Sequence, residues 1–321
     1  MPKNKIIIDL SGGDHAPDAI FDAACRFSKF SAGLEVVLIG ELSEQQKTRV
    51  PAGYEYVFSG DAVQMNDSPA TALRKGTTTS MGSMLQCLSE SNDNAIAISA
   101  GNTGAMIALT KQLVGMQDTC LKRPALLSKM PGCSFYCSDL GANLSLSAEQ
   151  MLELARFCAA LLPIDQPKVA LVNIGKEAGK GPAVLKEAYA LMKDCADFEF
   201  HGFIEPHEVF SHQSVDLLIT DGLIGNIMLK SFEGAFTYAA KGVMKSMARS
   251  LLGKLALWNN EALNQFIQMH QHHQVAMLAG AKKPVLKIHG RADSDSFLQS
   301  LLFAKQFILE ERHCSSVESV Q

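Results

Sequence analysis

The chain has 321 residues, with 29 Lys and Arg against 33 Asp and Glu, for a formal net charge of -4 at pH 7. That balance excludes a global nucleic-acid footprint, and no stretch reaches the roughly 20 apolar residues needed to cross a bilayer. Eight scattered cysteines read as reduced thiols rather than a disulfide framework, and MPKNKIIIDL turns polar at Asp9, too early for a signal peptide, so a cytoplasmic protein is expected.

In chain order, apolar runs of strand length alternate with segments of helical period. IIIDL precedes DAIFDAACRFSKF, LEVVLIG precedes a polar segment, and AIAISA precedes AMIALTKQLVG. FYCSDL then leads to AEQMLELARFCAALL, KVALVNI to PAVLKEAYALMKD, VDLLITD to LIGNIMLKSFEGAF, and PVLKIHG to SFLQSLLFAKQFILEER. Such alternation predicts an α/β fold with a mostly parallel sheet flanked by helices. Helix starts are signposted at Ser68 before Pro69, at Gly181 before Pro182, and at Ser147 with Gln150 as a capping box. No repeat or linker divides the chain, which reads over 1–321 as one α/β unit or two fused lobes.

Five strand ends share one grammar, Gly joined to Asp or Asn: DLSGGD, SAGNTGA, SDLGAN, NIGKEAGKG and TDGLIGN. In a parallel sheet, ligands sit beyond the carboxyl ends of strands, where helix N-termini present open N–H groups. Glycine admits close backbone approach and Asn or Thr supplies neutral hydrogen bonds, a combination suited to phosphate or an oxyanion. Five such corners are expected to converge on one pocket, although Asp9 and Asp139 could equally cap local N–H groups.

Other chemistries lack their signatures. G-x-G-x-x-G follows no strand, GKEAGKGPA is one residue short of a P-loop, and there is no G-x-S-x-G elbow. Cys133 and Cys137 form a lone pair without a partner set, so no metal is expected. His270, His272 and His273 read as a solvated helix face.

Taken together, IIIDLSGGDHAP, PATALRKG, ISAGNTGAMIAL, RPALLSKMPG, SDLGAN, VALVNIGKE, TDGLIGNIMLKSFEG and VLKIHG resemble the PlsX family of acyl-carrier-protein:phosphate acyltransferases, in its order and spacing from residue 6 to about 310. The resemblance implies the isocitrate/isopropylmalate dehydrogenase fold shared by phosphotransacetylases, a homodimer, and no cofactor. It implies transfer of a long fatty acyl group from acyl carrier protein to inorganic phosphate, the acyl phosphate passing on to a membrane glycerol-3-phosphate acyltransferase. Rival readings are a phosphotransacetylase using acyl-CoA and a non-catalytic acyl- or carrier-binding adaptor. The chain departs from the family pattern at Ser11, at Lys176 and Ala178 on either side of Glu177, at Gln274 and Val275, and at Arg291 and Ala292. These changes bear on pocket shape and chain-length preference.

Phosphate attack on a thioester requires alignment and oxyanion donors rather than a protein nucleophile. Gly101, Asn102, Thr103 and Gly104 are expected to hold phosphate or the oxyanion, with Gly12, Gly13 and Asp14 as an opposing wall. Asp139, Gly141, Asn143, Asn173, Asp221, Gly222, Gly225 and Asn226 complete the corners. Lys180, Lys230, Lys287 and His289 are cationic candidates, and His15 or His289 could serve as acid or base.

From Gly234 through Asn260 there is no Asp or Glu. Phe236, Ala240, Val243, Met247, Leu251, Leu255 and Trp258 recur at helical period beside the stripe of Lys241, Lys245 and Arg249. A projecting amphipathic helical hairpin over 235–275 is expected, contacting an anionic membrane surface, acidic acyl carrier protein or a dimer partner.

Overall fold

A computed structural model describes residues 3–130, 133–209, 215–247 and 275–310. Its eleven strands are β1 (Asn4–Asp9), β2 (Leu34–Gly40), β3 (Tyr54–Phe58), β4 (Asn94–Ser99), β5 (Ala125–Lys129), β6 (Tyr136–Ser138), β7 (Lys168–Val172), β8 (Glu199–Ile204), β9 (Leu217–Ile219), β10 (Val275–Ala279) and β11 (Val285–Ile288). They form one sheet in the order β3-β2-β1-β4-β11-β10-β5-β6-β9-β7-β8. Strands β3, β2, β1, β4 and β11 run parallel, as do β6, β9, β7 and β8. The seam between these groups is antiparallel, β10 opposing both β11 and β5, and β6 opposing β5.

The sheet is therefore mostly parallel, as the alternation predicts, but its two halves point in opposite directions. Carboxyl ends of the two halves face opposite edges, which corrects the expectation of a single ligand-bearing edge. The sequence alternation does not mark β3, β5, β8 and β10 as separate strands.

Helices cover both faces. α1 (Asp18–Phe27), α2 (Glu44–Lys47), α3 (Pro69–Lys75), α4 (Ser80–Glu90), α5 (Thr103–Leu109), α6 (Ala148–Leu161), α7 (Ala183–Lys193), α8 (Gly222–Met247) and α9 (Ser294–Leu309) follow in chain order. Strand residues alternate between two cores: Ile6 and Ile8 belong to the one that also holds residues of α1, α6 and α9, and Ile7 to the one that holds residues of α4 and α5. Two of the three helix starts form as read: Ser68 Oγ accepts from Thr71 N at 3.1 Å, and Ser147 with Gln150 makes the capping box of α6, whereas α7 takes Pro182 itself as N-cap with no side-chain cap bond.

α8 runs as one helix through the start of the expected excursion. Phe236 packs near Phe232, with ring centroids 6.4 Å apart, while Tyr238, Lys241, Val243 and Lys245 are exposed. The Met247 side chain, Arg249, Leu251, Leu255, Trp258, His270, His272, His273 and Gln274 lie outside the described residues. Among the described residues no helix is long and apolar enough to cross a membrane.

Candidate active site

A polar row crosses the first half-sheet on the face covered by α4 and α5. Ile8 pairs with Ile98, one step before Asp9 and Ser99; Ser99 pairs with Lys287, Lys287 with Ala276, and Ala276 with Ser128. Strand alternation sends Leu286 and Ile288 into the opposite core and leaves Val285 and Lys287 on this face. Asp9 is structural: it accepts from Ser80 Oγ and Ser99 Oγ, each at 2.6 Å, and from Ser11 N at 3.0 Å. Burial raises its pKa against the pull of those hydrogen bonds.

Lys287 opens into a cavity of about 330 Å³. Ile107, Leu126, Leu140 and Leu229 give it an apolar floor, and Thr103, Ser128, Lys129, Asn226, Lys230, Glu233 and His289 supply polar groups. The size lies at the small end of ligand pockets. Lys287 is only 7% exposed, and its ammonium touches the Ile288 carbonyl. Among the described residues it has no carboxylate partner. Burial pushes it down to about 8, with Asp14 opposing and Lys230 reinforcing the shift. Burial, then the Lys287 charge, holds His289 below the usual histidine value. His289 Nδ1 accepts from Arg291 N at 3.2 Å, so the neutral imidazole carries its proton on Nε2.

The 101–104 corner starts α5, which a π turn over Thr110–Val114 prolongs. Asn102 is the N-cap: its Oδ1 accepts from Ala105 N at 3.0 Å. Its amide nitrogen donates to the carbonyls of Gln64, Met65 and Asp67 at 3.3, 3.0 and 2.9 Å. That side chain is thus engaged by the fold through both its oxygen and its nitrogen, and it positions the corner. Thr103 and Gly104 line the cavity with first-turn N–H groups that no intrahelical acceptor reaches.

Corners from the second half arrive across the sheet face. Gly141 and Asn226 line the cavity, whereas Asp139 is buried beneath them. Asp139 Oδ1 accepts from the N–H groups of Leu126, Gly141 and Ala142, and its Oδ2 from Asn143 N and Nδ2. Gly222 and Gly225 serve close packing: a Cβ at Gly225 would lie 2.0 Å from the Asp139 carbonyl oxygen, and one at Gly222 2.6 Å from that of Asn143. Asp221 Oδ1 accepts from Ile224 N at 2.8 Å, occupying the start of α8.

Two further predicted groups fall outside the lining. The Gly12–Asp14 turn backs the site, Asp14 N donating to Gly290 O at 2.7 Å, and Gly12 packing so closely that a Cβ would meet Gly101 N at 2.6 Å. Gly13 belongs to the same turn, and His15 is exposed beyond it. Asn173 instead ties its own loop, through Lys180 O at 3.0 Å and Ile174 N at 2.8 Å, and Lys180 pairs with Glu177 at 3.0 Å. Glu208 takes Lys176. Lys129, Ser128 and Glu233 also line the cavity, and no motif in the sequence singles them out. Reading ALLSK as a strand would have put Ser128 on the face of Leu126, and helical spacing would have joined Glu233 to Asn226 and Lys230.

The model of a family described as "Fatty acid synthesis protein" matches residues 4–313. A phosphate acyltransferase of Acidovorax sp. (strain JS42) is 33% identical over 312 residues, 93% of this chain and 90% of that protein. One from Cellvibrio japonicus (strain Ueda107) is 31% identical over 318 residues, covering 95% of each. Among solved structures, a branched-chain phosphotransacylase from Enterococcus faecalis V583 aligns with a TM-score of 0.59 at 14% identity, covering 94% of this chain and 99% of that one. A phosphotransacetylase from Streptococcus pyogenes aligns at 0.57 and 16% identity, covering 96% and 94%. At these identities the structural likeness establishes the fold.

Proposed function

The chain belongs to the fatty acid synthesis protein family, with relatives named phosphate acyltransferase, and from that premise we propose that it transfers a long-chain acyl group from the thioester of acyl carrier protein to inorganic phosphate. The product is acyl phosphate, destined for phosphatidic acid synthesis through a membrane glycerol-3-phosphate acyltransferase. The observation that carries the reading is a buried ammonium, Lys287, with no ion-paired carboxylate among the described residues, in a cavity that has an apolar floor and whose wall includes the start of α5.

In this reading the phosphate sits between Lys287 Nζ and the N–H groups of Thr103 and Gly104, with the Thr103 hydroxyl as a further donor. Lys230 balances its charge from α8. A phosphate oxygen attacks the thioester carbonyl carbon, forming C–O. His289 Nε2–H and the Asn226 amide then face the tetrahedral oxyanion. Collapse breaks C–S, and the thiolate, with a parent thiol pKa of about 8.5, leaves without needing a strong acid. Each oxyanion donor is worth about 2.7 to 4 kcal/mol. The first carbons of the acyl chain rest on Ile107, Leu126, Leu140 and Leu229.

The exposed far half of α8, basic at Lys241 and Lys245, suits a cytoplasmic enzyme that touches an anionic membrane surface or its own dimer partner. Co-sedimentation with anionic vesicles at low salt tests the first, and sedimentation velocity the second. The activity is tested by incubating pure protein with phosphate and palmitoyl thioesters of acyl carrier protein or CoA. Palmitoyl phosphate from the carrier-protein donor supports the proposal. Product from CoA alone replaces the donor, and none from either refutes the transfer.

A further inference from the structure

In the cavity proposed to receive activated acyl groups, Lys287 has no ion-paired carboxylate among the described residues. Around Lys287 lie Ser99 on β4, Ala276 on β10, Ser128 and Lys129 on β5, Thr103 on α5, His289 after β11, Lys230 and Glu233 on α8, and Asp14 from the first loop. Glu233 is engaged by Lys230 at 2.8 Å, and Asp14 is exposed, with Arg291 Nε 3.9 Å from its Oδ2. The other lysines of the lining differ: Lys230 is ion-paired and exposed, and Lys129 is exposed with its ammonium 5.5 Å from the Tyr136 ring centroid. Neither is enclosed as Lys287 is.

We propose that Lys287 is a self-acylation site: without phosphate, its side-chain nitrogen takes the acyl group from a thioester bound in the same cavity, and bound phosphate prevents this. The inference rests on the reading of the cavity as the acyl-transfer site. The neutral amine attacks the thioester carbonyl carbon, C–N forms and C–S breaks. The sulfur leaves with the electron pair and takes up the proton released by nitrogen, so thioester and amine become amide and thiol with no change of oxidation state. Burial brings the pKa down to about 8, so a much larger share of the side chain is neutral near pH 7 than for an exposed lysine. A phosphate dianion at the ammonium offsets that downward shift and shrinks the neutral share, because an opposite charge within about 4 to 6 Å shifts a pKa by one to three units toward the charged form. Phosphate is thus both co-substrate and guard, and phosphate scarcity switches the enzyme off covalently.

The test uses the full-length protein and palmitoyl acyl carrier protein, with and without phosphate, followed by peptide mapping for palmitoyl-lysine and parallel measurement of palmitoyl phosphate. The expected result is an amide concentrated at Lys287 that falls about tenfold or more when phosphate is present, with turnover lost in proportion to its occupancy. Palmitoyl phosphate formation with Lys287 unmodified, modified no more than exposed lysines, or modified regardless of phosphate overturns the inference and leaves the transfer reading intact. Absence of both products overturns both.

Discussion

Lys287 and Lys230 face one cavity but are held differently: Glu233 Oε2 lies 2.8 Å from Lys230 Nζ, while Lys287 meets only the Ile288 carbonyl among the described residues. The buried ammonium is maintained at a cost to the fold. With a pKa of about 8 against the ordinary 10.5, that cost is on the order of 3 kcal/mol at neutral pH. Lys287→Met is expected to raise the melting temperature while lowering kcat/KM for phosphate roughly 10- to 100-fold. Thermal melts and initial rates on the same preparation check both signs.

The same group sets an alkaline limb. Unfolded chain holds the Lys287 proton up to pH 10.5 and folded chain to about 8, so this residue's contribution makes stability rise with pH across that window. Phosphate binding moves the other way, and KM for phosphate should climb as pH passes about 8. On the acid side, burial and the Lys287 charge hold His289 below the ordinary histidine range, so the limb attributable to it lies on the acid side of that range. A phosphate-KM profile of wild type against His289→Gln, which keeps a donor without titrating, should retain the alkaline limb and lose that acid component.

Asn102 offers a sharper dissection. Asn102→Asp keeps the oxygen that caps Ala105 N but removes the amide donor to the carbonyls of Gln64, Met65 and Asp67. Stability should fall by about 1 to 3 kcal/mol, with faster hydrogen exchange over residues 64–68. Asn102→Ala should lose the cap as well and fall further. Equal exchange in wild type and Asn102→Asp would deny the positioning role.

Asp139 accepts five hydrogen bonds through two oxygens. Asp139→Asn turns one oxygen into a donor facing donors from Asn143 or from the Leu126, Gly141 and Ala142 set. The expected loss is about 2 to 4 kcal/mol in urea unfolding. An unchanged midpoint would contradict this account of the 139–143 corner.

These particular residues show how much the sequence carries. Apolar runs, helical periods and the Ser68 and Ser147 caps are local features, and each has its counterpart in the fold. Strand direction is not local. VAMLA and ALLSK read like other short apolar runs, yet they form the antiparallel seam that turns the second half-sheet around. Gly225 looked like part of a ligand corner because glycine has the same signature whether it admits a phosphate or a neighbouring carbonyl. Only the 2.0 Å approach to Asp139 O separates the two. Gly225→Ala should therefore destabilise the fold by about 1 to 3 kcal/mol, where a ligand-binding glycine would leave stability unchanged.

The central claim is that phosphate meets the acyl thioester at Lys287, between the start of α5 and the face of α8. The most direct measurement is a crystal structure of the protein grown with inorganic phosphate. The account predicts phosphate oxygens within hydrogen-bonding distance of Lys287 Nζ and of the Thr103 or Gly104 N–H. Phosphate bound instead at the Asn173–Lys180 loop, with the Lys287 cavity empty, would contradict it.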